Sequence, residues 1–192
     1  MKHEVLLLGD SIRMFYQEAV REALGPEIHV SAPDENCRFA AYTRNSLRHW
    51  LPTFPTPEVI HWNNGLWDTA IVCGEEGGFT PLDRYLYDLR IIARELHKTG
   101  AKVIFATTTP VHPDKERLAP PQQMRNADIV RYNDAAKALM AELGIPVNDL
   151  WSVVQPEIGT LLCDDLIHPS AVGREVLGRA VAQAIRQQLE ND

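Results

Sequence analysis

Residues 5–11 read VLLLGDS, a short aliphatic run that ends in Gly-Asp-Ser. An uninterrupted aliphatic run of this length is typical of a strand that is buried on both faces of a parallel sheet. Gly9 permits a tight turn after the strand, and the amphipathic segment 12–24 predicts a helix. Ser11 is therefore predicted to lie at the edge of the sheet, where a buried strand meets a helix.

Short apolar segments alternate with longer amphipathic ones along the rest of the chain. Further strands are predicted at 27–32, 58–62, 101–109 and 145–150, and further helices at 43–51, 81–98, 122–143 and from Pro169 to about Glu190. Thr43 is expected to cap its helix, and Pro169 to occupy the first helical position. The alternation predicts a three-layer α/β/α sandwich with a parallel five-stranded sheet, in which sites lie outside the carboxyl ends of the strands.

Composition narrows the classes of protein and partner. The 192 residues suit one domain over 1–192, and the net charge of -7 argues against nucleic acid or an anionic membrane as the main partner. The chain has no apolar run of about 18 residues, and its short N-terminal run is interpreted as a strand rather than a signal peptide. Three cysteines without CxxC spacing predict reduced thiols in a cytoplasmic protein, with neither a disulfide framework nor a zinc site.

Ser11 is the first candidate for chemistry. A serine whose backbone N–H lies at a helix N-terminus suits a nucleophile, because its attack on a carbonyl creates an oxyanion that this end of the helix stabilises. Capping of the helix by Ser11 or Asp10 is the structural alternative, and Gly-Asp-Ser alone does not separate the two.

Asp165 and His168 lie three residues apart, just before the last predicted helix. At this spacing the carboxylate can accept a hydrogen bond from the imidazole, select its tautomer and stabilise the imidazolium formed during catalysis. Either residue could instead serve as a cap or lie on the surface. The combination of a serine after the first strand with Asp-x-x-His before the last helix favours a catalytic set.

Asn63, Asn64 and Gly65 follow the third predicted strand, at the same edge of the sheet. An asparagine amide is an uncharged donor that can stabilise an oxyanion. Asn-Gly is also a strong turn signal, and both interpretations can hold together because turns present side chains.

These segments together resemble the SGNH/GDSL hydrolase superfamily. The resemblance rests on Ser11 in GDS, on the Asn/Gly segment after strand three and on DLIH at 165–168, and it extends through ATTTPV (106–111) and residues 132–150. It implies a flavodoxin-like fold and an esterase, lipase, thioesterase or carbohydrate deacetylase that needs no metal and no organic cofactor. It also implies that Ser11 is the nucleophile, with its N–H as first oxyanion donor, and that Asp165 and His168 complete the triad.

Two blocks depart from the pattern of the family. The second block normally contains a glycine whose N–H joins the oxyanion hole, whereas this chain has Asn36, Cys37 and Arg38 there, one of whose N–H groups is expected to substitute. The third block is normally Gly-x-Asn-Asp, and here Trp67 stands in place of the asparagine. The amide donor would then be Asn63 or Asn64, of which Asn63 is preferred.

The resulting hypothesis is a serine esterase that hydrolyses a small acyl ester on a small molecule or a carbohydrate, with acetyl as the preferred acyl group. The NNGLWD variant resembles a branch of the family that is linked to sugar esters, and Trp67 beside the site could stack on a sugar. A thioesterase or lysophospholipase of the same fold is the alternative enzyme. A non-catalytic binding module on the same scaffold is the alternative from another class. The departures in the two oxyanion blocks favour it, and the intact Ser-Asp-His set argues against it.

Overall fold

The computed structural model describes residues 3–72, 78–119 and 123–190. Five strands form one sheet: β1 (His3–Leu8), β2 (Ile28–Ser31), β3 (Val59–Trp62), β4 (Lys102–Ala106) and β5 (Val147–Asn148). The order is β2-β1-β3-β4-β5, and every neighbouring pair is parallel. The predicted five-stranded parallel sheet is therefore confirmed.

Seven helices accompany the sheet in the described ranges. They are α1 (Ser11–Leu24), α2 (Ala40–Trp50), α3 (Leu82–His97), α4 (Asn126–Leu143), α5 (Leu150–Val154), α6 (Ile158–Leu161) and α7 (Ala171–Glu190). Alternate residues of β1 face opposite sides, as a strand requires. Val5 and Leu7 pack with residues of α1 and α7, whereas Leu6 and Leu8 pack with residues of α2, α3 and α4. This gives the predicted α/β/α layers.

The second helix begins earlier than predicted, at Ala40 rather than at residue 43. Thr43 does not cap it. The Thr43 hydroxyl is buried inside the helix and donates to the carbonyl oxygen of Cys37 at 2.8 Å. The cap comes from a distant residue, because both carboxylate oxygens of Asp68 accept from the N–H of Ala40 at 3.1–3.2 Å. A cap from 28 positions away leaves no local sequence signal.

The C-terminal third also differs from the prediction. The fifth strand spans two residues instead of 145–150, because Asp149 ends it by capping α5 with a hydrogen bond from Ser152 N. Pro169 does not open the last helix. It pairs with Leu162 in an isolated antiparallel bridge, and α7 begins at Ala171. The fourth helix begins at Asn126 rather than at residue 122, which lies outside the described residues.

Candidate active site

Ser11 is the first residue of α1, directly after the carboxyl end of β1. Asp10 is the N-cap, and its Oδ1 accepts from Ile12 N at 3.0 Å. The cap predicted for Ser11 or Asp10 therefore belongs to Asp10, which leaves the Ser11 hydroxyl uncommitted to capping. As the first helical residue, Ser11 has a backbone N–H without an intrahelical acceptor.

His168 bridges Ser11 and Asp165. Its Nε2 lies 2.8 Å from Ser11 Oγ, and its Nδ1 lies 2.5 Å from Asp165 Oδ2. The three residues that the sequence placed at opposite ends of the chain thus form one continuous hydrogen-bonded chain. With Nδ1–H donating to the carboxylate, Nε2 is the basic nitrogen and faces the serine hydroxyl.

The loop that carries Asp165 and His168 is held closed by its own backbone. Cys163 N donates to His168 O at 2.7 Å, and Leu166 N donates to Cys163 O at 2.9 Å. Leu166 has a φ of 71°, in the left-handed region that few non-glycine residues adopt. His112 N donates to Leu166 O at 2.9 Å, so the 110–119 loop also buttresses this turn.

The Asp165 carboxylate is held in its ionised form. Its partial burial would raise the pKa, but the hydrogen bond from the His168 ring and those from His168 N (2.9 Å) and Ile167 N (3.1 Å) outweigh that and lower the pKa. A carboxylate with three such donors is fixed in position and stays charged opposite the imidazole.

Asn63 lies at the carboxyl end of β3, over the turn that precedes Ser11. A Cβ at Gly9 would lie 2.0 Å from Asn63 Oδ1, so only glycine allows this approach. The Asn63 amide also lies beside Asp10, where it opposes the rise in the pKa of that carboxyl group. An amide has two N–H donors, so at least one remains for another acceptor at this edge of the sheet.

The Asn64 side chain is hydrogen-bonded inside the protein. Its Nδ2 donates to Arg38 O and to Thr43 Oγ1, both at 3.0 Å, and its Oδ1 accepts from Trp62 Nε1 at 2.7 Å. Both of its amide donors are therefore used, and the residue is completely buried. Between the two asparagines that the sequence left open, the contacts favour Asn63 as the free donor.

The turn after Asn64 requires its glycine. Gly65 has a φ of 148°, and a Cβ there would lie 2.2 Å from Thr108 Oγ1. Trp67 follows with 40% of its surface exposed, while Asp68 is completely buried. Burial raises the pKa of Asp68 to about 7, against the hydrogen bonds from Thr80 and Ala40. Trp67 therefore presents its ring to solvent, whereas the next residue, Asp68, points inward and caps α2.

The loop after β2 packs against the turn before Ser11. Cys37 N donates to Gly9 O at 3.1 Å, so the Cys37 N–H points away from the site and cannot be the predicted substitute donor. Arg38 has a φ of 52°, a conformation that usually selects glycine. Its N–H donates to Asn36 Oδ1 at 2.7 Å. The chain thus adopts a glycine-like backbone at this point without a glycine.

Two buried charged residues beneath the site were not predicted. Arg13 has 1% of its surface exposed and donates to Glu35 O at 2.7 Å and to Gly9 O at 3.4 Å, which ties the loop after β2 to the nucleophile turn. Asp10 is completely buried, and burial raises its pKa to about 6. The signal for Arg13 was a charged residue between apolar ones at the start of an amphipathic helix.

The predictions about cysteines, metal ions and membrane-spanning helices can be compared with the structure only for the described residues. Cys37 and Cys163 are free thiols, whereas Cys73 lies outside the described residues, as do residues 74–77 of the segment between β3 and α3. Within the described ranges no group of three or more His, Cys, Asp or Glu side chains could hold a metal ion. No helix in that part of the chain is long and apolar enough to cross a bilayer.

The chain belongs to the GDSL-like lipase/acylhydrolase family, a family of ester hydrolases. The sequence model of that family matches residues 63–176, a range that contains Asn63, Asp165 and His168 and begins after Ser11. A GDSL esterase/lipase of Arabidopsis thaliana is 27% identical over an alignment of 122 positions, which covers 58% of this chain and 47% of that protein. The chain thus spans about half the length of this curated relative.

Solved structures of similar fold cover nearly the whole chain. A lipase/acylhydrolase from Enterococcus faecalis has a TM-score of 0.78 at 19% identity and covers 97% of this chain and 96% of its own. An acetylxylan esterase from Geobacillus stearothermophilus has a TM-score of 0.73 at 16% identity, with 96% and 95% covered. At these identities the likeness establishes the fold, and the predicted SGNH/GDSL resemblance is confirmed.

Proposed function

We propose that this protein is a serine esterase that removes a small acyl group from a carbohydrate or from a small-molecule alcohol, with acetyl as the preferred acyl group. The observation that carries the proposal is the position of the His168 imidazole, 2.8 Å from Ser11 Oγ and 2.5 Å from Asp165 Oδ2. A serine with a base at hydrogen-bond distance, and an orienting carboxylate behind the base, is the arrangement that activates a hydroxyl for attack on an ester.

In the first half of the reaction Ser11 Oγ attacks the ester carbonyl while its proton passes to His168 Nε2. The imidazolium is stabilised by Asp165, and it then gives the proton to the departing alcohol. This leaves the acyl group on Ser11. In the second half the same nitrogen takes a proton from water, which attacks the acyl-enzyme, and Ser11 regains its proton when the carboxylic acid leaves.

The negative oxygen of the tetrahedral intermediate needs donors on the side opposite His168. The Ser11 N–H at the start of α1 is the first, and an amide hydrogen of Asn63 is another. The N–H groups of Asn36 and Arg38 are the remaining candidates from the loop after β2, because Cys37 N is committed to Gly9 O. Asn36 Oδ1 holds the Arg38 N–H in this structure and would turn away when a substrate oxygen takes its place.

The choice of an acetylated carbohydrate rests on two observations. Two of the structural neighbours are acetyl xylan esterases, with TM-scores of 0.70 and 0.73. In addition, Trp67 offers an exposed aromatic face three residues after Asn64, and a flat aromatic ring suits the apolar face of a sugar.

The test is a panel of esters graded by acyl length, from acetyl to palmitoyl, that includes acetylated xylo-oligosaccharides and a thioester. Ser11→Ala is compared with the wild type, and Ser152→Ala serves as the matched serine control because the Ser152 hydroxyl bonds to Asp149 rather than to the His168 ring. We expect the highest kcat/KM with acetyl esters, loss of nearly all turnover in Ser11→Ala, and no effect of a chelator.

Three outcomes would contradict the proposal. Preference for long acyl chains or for the thioester would favour a lysophospholipase or a thioesterase. Retention of more than about a tenth of the activity in Ser11→Ala would remove Ser11 as nucleophile. Failure of the folded wild type to hydrolyse any ester or to react with a fluorophosphonate would favour the binding module.

A further inference from the structure

Phe15 lies one helical turn after Ser11 on α1, and residues four apart lie on the same face of a helix. Its ring stacks on the imidazole of His168, with centroids 4.5 Å apart and planes inclined by 12°. The nucleophile and Phe15 therefore contact the same histidine, one at the edge of its ring and the other at its face.

Arg174, on the first turn of α7, also contacts the Phe15 ring. Its guanidinium carbon lies 4.7 Å from the ring centroid, and its Nε is 3.4 Å from Pro169 O. The stack of imidazole on phenyl ring and the contact of the guanidinium with the same phenyl ring thus join the loop of His168 to both α1 and α7. A cation over the face of an aromatic ring is attracted by its quadrupole, so Arg174 holds Phe15 in place.

Besides Ser11, which is the reacting group, the described hydrogen-bond partner of the His168 ring is Asp165. Asp165, its partner at Nδ1, belongs to the same short loop and has 49% of its side chain exposed. Water can therefore compete for this carboxylate, and any movement of the loop moves both groups together. The stack is the contact that fixes the plane of the ring relative to α1, on which Ser11 lies.

We propose that Phe15 is a positioning residue for His168, held by Arg174, and that it keeps Nε2 aligned with Ser11 Oγ through both halves of the reaction. The inference rests on the proposed function. It assigns a role to a side chain outside the Ser-His-Asp set. It also predicts a contribution that grows during catalysis, because the imidazolium formed on attack is drawn to the face of Phe15 more strongly than neutral imidazole is.

The first experiment compares Phe15→Leu with Phe15→Tyr in the intact protein, with an acetyl ester as substrate. Leucine removes the flat face, whereas tyrosine keeps it, and the groove of about 540 Å³ that borders Phe15 and Met14 offers space for a hydroxyl. We expect Phe15→Leu to lower kcat by roughly tenfold with KM little changed, since misplaced catalytic groups lose rate rather than binding. Phe15→Tyr should restore most of the rate.

The second experiment is a double-mutant cycle of Phe15→Leu and His168→Ala. The measured quantity is the rate at which a fluorophosphonate labels each variant. If Phe15 acts through His168, its replacement has no further effect once the imidazole is gone. Arg174→Gln should reproduce part of the Phe15→Leu loss. Glu175→Gln is the control: Glu175 is the next residue along the chain and pairs with Arg179, so this variant should behave like the wild type. Urea unfolding of each variant shows whether a loss reflects unfolding.

A folded Phe15→Leu with wild-type kcat would overturn the inference, as would an equal loss in the presence and absence of His168. A loss that Phe15→Tyr does not restore would overturn it as well. These failures leave the proposed function intact, because the wild type would still turn over esters and react at Ser11. Absence of both activities in the wild type would instead remove the proposed function, and this inference with it.

Discussion

The side-chain amide of Asn64 donates to the carbonyl oxygen of Arg38 at 3.0 Å, across 26 positions of sequence. This bond joins the end of β3 to the loop before α2, and it occupies a group that the sequence offered as an oxyanion donor. The neighbouring Asn63 lies against Gly9 and Asp10 instead. The two adjacent asparagines therefore have different roles, which experiments on the separate variants can distinguish.

Asn63→Ala and Asn64→Ala should affect different quantities. Removal of a donor that acts on the transition state lowers kcat, by roughly a hundredfold for Asn63→Ala, with little change in KM. Asn64→Ala leaves buried partners without hydrogen bonds, so we expect a loss of roughly 1–3 kcal/mol in the free energy of unfolding. Ester kinetics and urea unfolding of both variants give the comparison. A large loss of kcat in a stable Asn64→Ala, with Asn63→Ala near wild type, would reverse the assignment.

Asp165→Asn should slow the reaction less than His168→Ala does. The amide retains an oxygen for the backbone N–H groups of Ile167 and His168, but its NH₂ cannot accept the Nδ1 proton and favours the wrong tautomer. Because the carboxylate is half exposed, water can partly replace it. We expect a fall in kcat smaller than the roughly ten-thousandfold loss typical of a buried triad carboxylate, measured as the rate of acylation in single turnover. Equal losses in the two variants would show that the ring has no orientation without Asp165.

Trp67→Ala should act on binding of the alcohol part of the substrate. If the exposed indole packs on a sugar, its loss raises KM for an acetylated xylo-oligosaccharide by about fivefold, the equivalent of about 1 kcal/mol. KM for p-nitrophenyl acetate should not change, because that ester has no sugar. Tyr87→Ala removes an aromatic ring that is also exposed, on α3, and serves as the control. An equal effect of Trp67→Ala on both esters would argue against a sugar contact.

Asp68→Asn should change how stability depends on pH. Burial raises the pKa of Asp68 from 3.8 to about 7. The folded protein then binds more protons than the unfolded chain between these values, so the contribution of Asp68 to the free energy of unfolding is lost as pH rises through this window. Each pKa unit corresponds to about 1.4 kcal/mol, which makes the effect on the order of a few kcal/mol.

In the variant, an amide oxygen can still accept from Ala40 N, and no proton is taken up in this range. Urea unfolding at pH 4.5 and pH 8 should therefore show a smaller loss on raising the pH in Asp68→Asn than in the wild type. Asp83→Asn, at an exposed carboxylate on α3, should keep the wild-type dependence. An unchanged pH dependence in Asp68→Asn would mean that Asp68 is ionised in the folded protein throughout the range.

The sequence by itself determined the class of fold, the order of the five strands with the four helices that connect them, and the ends of the chain at which the candidate catalytic groups lie. These features depend on local patterns. The aliphatic run before Ser11 predicts a buried strand, and the alternation of short and long apolar segments predicts a parallel sheet. Asp165 and His168 are three residues apart, so their contact requires only a single turn.

Tertiary structure alone decided which groups are free to act. Asn63 and Asn64 have the same side chain, and only the loop before α2 separates them, because it reaches across to bind Asn64. The cap of α2 comes from Asp68 rather than from Thr43, and the face of His168 is covered by Phe15 rather than by solvent. Each of these contacts joins residues far apart in sequence, and the free energy that forms them comes from burial in the assembled fold, which no local window contains.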